Sequence, residues 1–279
     1  MRFFIILVSV SFLFSCGKGL ERRKSKKEIV EVTTNKGVIK IKLYDDTPLH
    51  KANFLALVDS GFYDSLLFHR VIKDFMIQVG DPDSKNAPKG KALGNGGPGY
   101  TIESEILPIH NHKKGVIAAA RQGDDVNPEK RSSGSQFYIV TGRAFSKSNL
   151  AQMSKSIDQR KKHKHLKYIL NQKGNEASFN YLKLCQQQGE NQKYDSLIQT
   201  FDPILNAYLD SIGMHSFNKQ QIEDYSTIGG APHLDGGYTV FGEIIEGLAV
   251  IDNISFVVCD PRDRPIENVL ILGMKRVKD

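Results

Sequence analysis

The sequence predicts a mainly β domain, an antiparallel barrel or sandwich, interrupted by one block of helices. Three observations predict it. Short apolar runs at 66–72, 75–79, 116–120, 136–140, 238–245 and 268–274 are separated by Gly, Asp, Asn and Pro clusters, without regular alternation with helices. Residues 29–43 alternate about Asn35-Lys36-Gly37, with Val30 and Val32 before the turn and Ile39, Ile41 and Leu43 after it, which is a hairpin pattern. Between 146 and 226 the apolar spacing becomes helical, Gln, Lys and Asn rise, and Gly falls.

Before the hairpin, Met1-Arg2 is followed by an uncharged run from Phe3 to Phe14, the length of a signal peptide h-region and too short for a transmembrane helix. It ends at Leu13-Phe14-Ser15-Cys16 and resembles a bacterial lipoprotein signal, which implies lipidation of Cys16. An ordinary secretory signal is the alternative. Residues 17–28 read as a basic, flexible tether. Cys185 and Cys259 are left, with no pairing assigned.

After the hairpin, Thr47-Pro48 marks a helix start, Ala52, Leu55, Ala56 and Val58 its apolar stripe, and Gly61 its stop. The strand run 136–140 puts Gln136 and Tyr138 on one face and Phe137 on the other. In the helical block, Leu150, Met153 and Ile157 with Leu166, Ile169 and Leu170 suit one long helix or two halves of it. Phe179, Leu182 and Cys185 suit a second. Residues 194–209 suit a third that Asp202-Pro203 breaks and restarts, and 218–225 a last short one. These stripes must bury against each other or the barrel. The chain therefore divides into a signal at 1–16, a tether at 17–28, a β body at 29–145 and 227–279, and an insert at 146–226.

Charge follows the same division. The net charge is +7 over 279 residues. Residues 17–28 hold six basic against two acidic side chains, 146–226 eleven against eight, and the β body 20 against 21. The body is near neutral, so nucleic acid is not expected as a partner. The run Arg160-Lys161-Lys162-His163-Lys164-His165 reads as a solvated face.

Residues 68–81, FHRVIKDFMIQVGD, resemble the signature of cyclophilin-type peptidyl-prolyl isomerases. Three more blocks are similar to the family in the same order: GNGGPGY at 94–100, GSQFYIV at 134–140 and LDGGYTVFG at 234–242. The resemblance covers the β body and omits the signal, the tether and the insert. It implies an eight-stranded antiparallel barrel with two capping helices, and an active site on its outer face.

Rotation about an X–Pro bond crosses a barrier of about 20 kcal/mol because the amide is conjugated. Lowering it takes a pocket for the ring and a donor that favours the twisted amide, with no nucleophile, metal or cofactor. The resemblance makes Arg70 the catalytic arginine and Gln78 the glutamine that orients it and the substrate backbone. It places Phe75, Met76, Tyr138 and Leu234 in the proline pocket and Gln136 facing substrate. Ala120, Arg121 and Gln122 match the strip that binds the backbone before proline. His69 matches a histidine beside the site, read as a structural hydrogen-bonder. His233 stands where many relatives have tryptophan, Tyr138 where Phe is common, Tyr238 where some have His, and Arg121 where Asn is common. These departures imply weak cyclosporin binding.

Three other patterns lack their context. Gly94-x-Gly96-x-x-Gly99 contains Pro98 and no strand–turn–helix. His110/His112 and His163/His165 lack a third metal ligand in sequence reach. Asp124-Asp125-x-Asn127 lacks the remaining ligands of a calcium loop. The expectation is an isomerase of the bacterial cell envelope, lipid-anchored through Cys16, acting on proline-containing unfolded or secreted polypeptides. The alternatives are a proline-peptide-binding chaperone or scaffold with little turnover, and a basic envelope protein that binds polyanions. The insert, whose ends flank the pocket strip in sequence, is expected to add client contacts.

Overall fold

The computed structural model describes residues 28–278. Residues 1–27, with the signal segment, Cys16 and nearly all of the tether, lie outside the described residues.

The hairpin forms as its alternation requires. Strands β1 (Ile29–Thr34) and β2 (Gly37–Leu43) pair with Thr34 opposite Gly37, a two-residue turn. Val30, Val32, Ile39, Ile41 and Leu43 are buried, while Lys40 and Lys42 reach outward to Glu246 and Glu243. Helix α1 (Pro48–Asp59) follows and presses Phe54, Leu55 and Val58 into the same interior. Gly61 ends it at φ +67°.

The remaining β body supplies β3 (Arg70–Ile72), β4 (Met76–Val79), β5 (Thr101–Ile102), β6 (Val116–Ala119), β7 (Ser132–Ser133), β8 (Phe137–Val140), β9 (Val240–Glu246) and β10 (Ile271–Val277). Among the described residues, eight strands form one curled antiparallel sheet in the order β10-β1-β2-β9-β6-β8-β4-β3. A bridge between Leu67 and Leu270 brings the segment entering β3 to the segment entering β10, so the two edges of the sheet approach each other. The small pair β5–β7 stands apart. Helix α7 (Leu248–Ser255) adds Ile251 and Ile254 to the interior. This is the curled eight-stranded antiparallel sheet with two flanking helices that the sequence implies.

The predicted block between β8 and β9 is mainly helical. Helix α2 (Lys147–Leu170) is continuous rather than halved. Helices α3 (Glu176–Gln188), α4 (Asn191–Thr200), α5 (Asp202–Ile212) and α6 (Lys219–Thr227) follow, with the break at Asp202-Pro203 where expected. Two small apolar clusters hold it. Leu150, Phe217 and Tyr225 join the start of α2 to α6, and Leu166, Phe201 and Leu205 join its far half to α5.

The ends of the block are fastened together. Phe145 N–H donates to Tyr225 O, and Gly230 N–H to Arg143 O. The backbones are so close that a Cβ on Gly142 would collide with the Gly230 carbonyl, and one on Gly229 with Arg143. Glycine is required on both sides of that contact.

Candidate active site

The site grows from the alternation in β8. Phe137 points inward to Phe54 and Phe241. Tyr138 points outward, into a second apolar cluster with Met76, Val140 and Val240, flanked by Phe75, Leu234 and Tyr238. The β3–β4 hairpin lies beside it, with Arg70 opposite Gln78 and Gln78 opposite Tyr138. The turn Pro232–Leu234 closes the other side.

Together these elements enclose a pocket of about 190 Å³ lined by Arg70, Phe75, Met76, Gln78, Ala120, Arg121, Tyr138, Leu234 and Tyr238. Its floor is Met76 and Tyr138, both almost fully buried. Arg70 is its exposed cation, 44% accessible. Nine of the thirteen residues read as catalytic or substrate-binding in the sequence therefore meet here. Gln122 and Gln136 line an adjoining groove of about 570 Å³, with Gly94–Gly97 and Arg131. His233 backs the pocket, its ring 5.1 Å from that of Phe75.

The polar connections differ from the sequence expectation in three places. Gln78 does not hold the arginine: its Nε2 donates to Gln136 Oε1 at 2.9 Å. Arg70 Nε instead reaches the Asp263 carboxylate at 3.4 Å. Gln136 is committed to the glycine loop, with Nε2 donating to Gly94 O at 3.0 Å and Gly96 O at 2.7 Å. His69 makes no side-chain hydrogen bond of regular geometry, its nearest backbone partner being Leu67. It is 3% exposed. Burial lowers its pKa to about 4, so the ring is neutral.

Arg121 is pinned as well. Its Nε donates to Gly237 O at 2.7 Å, its NH2 meets Asp124 at 2.8 Å, and its guanidinium lies 4.6 Å from the Tyr238 ring centroid. Asp124, set aside as a calcium ligand, is thus the partner of a pocket residue.

A second polar layer lies under the pocket, and the sequence did not reveal it. His112 Nε2 is 3.1 Å from the Tyr138 hydroxyl, and its Nδ1 is 2.9 Å from Asp235. Asp235 also accepts from His112 N–H, Gln221 Nε2 and the Tyr225 hydroxyl. Burial pushes the Tyr138 hydroxyl well above its ordinary range, so it stays protonated. His112 appeared only as half of a histidine pair. Its position four residues before the first residue of the buried strand β6 was the one available signal.

The family model described as "Cyclophilin type peptidyl-prolyl cis-trans isomerase/CLD" matches residues 29–161 and 148–276. The chain belongs to the cyclophilin-type peptidyl-prolyl cis-trans isomerase family. A Staphylococcus haemolyticus protein named "Putative peptidyl-prolyl cis-trans isomerase" is 28% identical over 246 residues, 87% of either chain. A "Peptidyl-prolyl cis-trans isomerase-like 3" of Gibberella zeae is 39% identical over 117 residues, 41% of this chain and 66% of its own. The crystal structure of a Cryptosporidium parvum cyclophilin-type isomerase superposes with a TM-score of 0.51 at 19% identity, covering 91% of this chain and 99% of its own, a likeness of fold. Within this cyclophilin, the two matches overlap at 148–161, inside α2.

Proposed function

We propose that this cyclophilin-type isomerase turns X–Pro bonds in exported, proline-containing polypeptides, seating the proline ring on Met76, Phe75 and Tyr138 with Arg70 at the prolyl carbonyl. One observation carries the reading: a permanently charged, forked guanidinium borders a small apolar pocket. Removing the ring and amide from water disfavours the planar, charge-separated amide. The guanidinium favours the nitrogen lone pair that appears on twisting. No proton need move, which suits a neutral His69 and a protonated Tyr138. Ala120 and Gln122 flank the pocket on the side assigned to the backbone before proline.

The test is a coupled proline-peptide assay on the full chain and on Arg70→Ala. Arg70→Ala is expected to lose about a hundredfold or more in kcat/KM, as for removal of one transition-state donor. Wild-type turnover no faster than the uncatalysed rate, or an unaffected Arg70→Ala, leaves the proline-binding chaperone reading instead.

The envelope reading rests on the sequence at 1–28. Acyl chains on Cys16 hold the protein to a membrane, each buried CH₂ contributing about 0.8 kcal/mol. Labelled palmitate incorporation that is lost in Cys16→Ser supports it; equal incorporation in both sinks it. His233 in place of a tryptophan gives weak cyclosporin inhibition. The helical block adds contacts for unfolded clients, and replacing 146–226 by a short loop then lowers activity on proteins more than on peptides.

A further inference from the structure

Arg70 and Gln78 also border a second cavity, of about 250 Å³. Its other charged walls are Lys91, Arg262 and Arg264, with one carboxylate, Asp260. That carboxylate is already committed. Its Oδ1 accepts the backbone N–H groups of Arg262 and Arg264 at 2.8 and 3.0 Å, which hold its pKa below the usual range. Asp263 lies beside it, paired with Arg70 Nε. Four cations thus face two carboxylates that both have partners.

The cations are held in place by backbone rather than by acids. Arg264, 5% exposed, donates to Lys91 O at 2.7 Å and Ala87 O at 3.3 Å. Arg262 donates to Gly90 O at 2.6 Å, and Lys91 Nζ to Asp83 O at 3.4 Å. Carbonyl partners leave the positive charges uncompensated, and gathering like charges around one cavity is unfavourable unless an anion enters.

His69 is the second, independent observation. It lines this cavity, is almost fully buried, and among the described residues neither ring nitrogen makes a hydrogen bond of regular geometry, the Leu67 backbone and Asp81 being its polar neighbours. A buried polar group left unmet is unfavourable, so it marks a place where a further partner belongs. Gly94, at φ +103°, covers the ring, and a Cβ there would stand 3.7 Å from Nε2.

We propose that this cavity is an anion subsite that receives the carboxylate of an Asp or Glu flanking the isomerised proline. It rests on the isomerase reading, because the occupant arrives on the same peptide: Arg70 and Gln78 are walls of both pockets. The site selects acidic clients through ground-state binding and leaves the twisting step to Arg70.

The experiment scans Glu against Gln at each position from three before to three after the proline in a short peptide. At one position Glu is expected to lower KM about tenfold with kcat nearly constant, the size of one charge-assisted contact and the signature of uniform binding. The Glu/Gln ratio should fall toward one in Arg262→Gln and in Lys91→Gln, and in wild type at high salt. Ratios are taken within each variant, so a general loss of activity cancels. No Glu preference at any position, with normal turnover of the Gln peptides, overturns the subsite and leaves the isomerase intact. If no peptide is turned over, the isomerase reading fails. The same series read by calorimetry then decides the subsite: tighter binding of one Glu peptide sustains it, equal binding overturns it.

Discussion

The Tyr225 hydroxyl donates a 2.6 Å hydrogen bond to the Asp235 carboxylate, and so ties the last helix of the insert to the residue after the pocket wall Leu234. Asp235 in turn holds His112, which meets the Tyr138 hydroxyl. Tyr225→Phe is expected to destabilise the fold by about 1.5 kcal/mol in urea, the net worth of a bond to a charged group. Tyr225→Phe and Tyr138→Phe should be non-additive by about 0.5 kcal/mol or more, as members of one network are. Additive losses would show that the insert and the pocket floor are independent.

Asp263 is the partner of Arg70, and the pair is loose and half exposed. Such pairs add little stability, about 0–1 kcal/mol. Its effect should appear in catalysis instead. Asp263→Asn keeps the shape but frees the guanidinium, and about a threefold fall in kcat with unchanged KM is expected from lost orientation. A rise in KM with constant kcat would place Asp263 in peptide binding.

His69 makes acid stability predictable in sign. Its folded pKa of about 4 lies below the ordinary 6.5. Between those values the unfolded chain binds the proton and the folded one does not. Stability from this group is complete above about pH 6.5 and is lost as pH falls toward 4, by about 3 kcal/mol in all. Urea unfolding at pH 7.5 and 4.5 should show a smaller difference in His69→Gln than in wild type. An equal difference would mean that other groups carry the acid sensitivity.

Glu105 caps helix α1 from 55 residues away. Its carboxylate accepts the N–H groups of Leu49 and His50, each at 2.9 Å, and His50 Nδ1 at 2.7 Å. Thr47, at the expected N-cap, makes no capping bond, and its hydroxyl is buried without a partner among the described residues. Glu105→Ala should cost about 2 kcal/mol, at the top of the range for a lost cap. Thr47→Val should cost far less. The reverse order would return the cap to Thr47.

The contrast between Thr47 and Glu105 shows what the sequence made legible. Period-two alternation exposed β1, β2 and the inward and outward faces of β8, because an apolar side chain in a strand has one buried face to choose. Helical spacing exposed α1 and the insert helices for the same reason. The pocket wall was legible because its residues sit in short contiguous blocks. Glu105, Asp235 and Asp263 were not legible. Each is a loop carboxylate that acts on a residue far away in the chain, and loops carry no period. The two-residue strands β5 and β7 are too short to show alternation.

Strand β1 pairs along its whole length with β10, Ile29 opposite Val277. The first and last strands of the domain are thus neighbours in the sheet, with β10 at its edge. Synthesis delivers those extremities first and last, with more than two hundred residues between them. Until the final strand emerges, β1 has a bare edge and the cavity around Val30 and Val32 lacks Ile271. Closure is a long-range, late event of the kind that slows folding. This isomerase cannot complete its own curled sheet until its last strand is released.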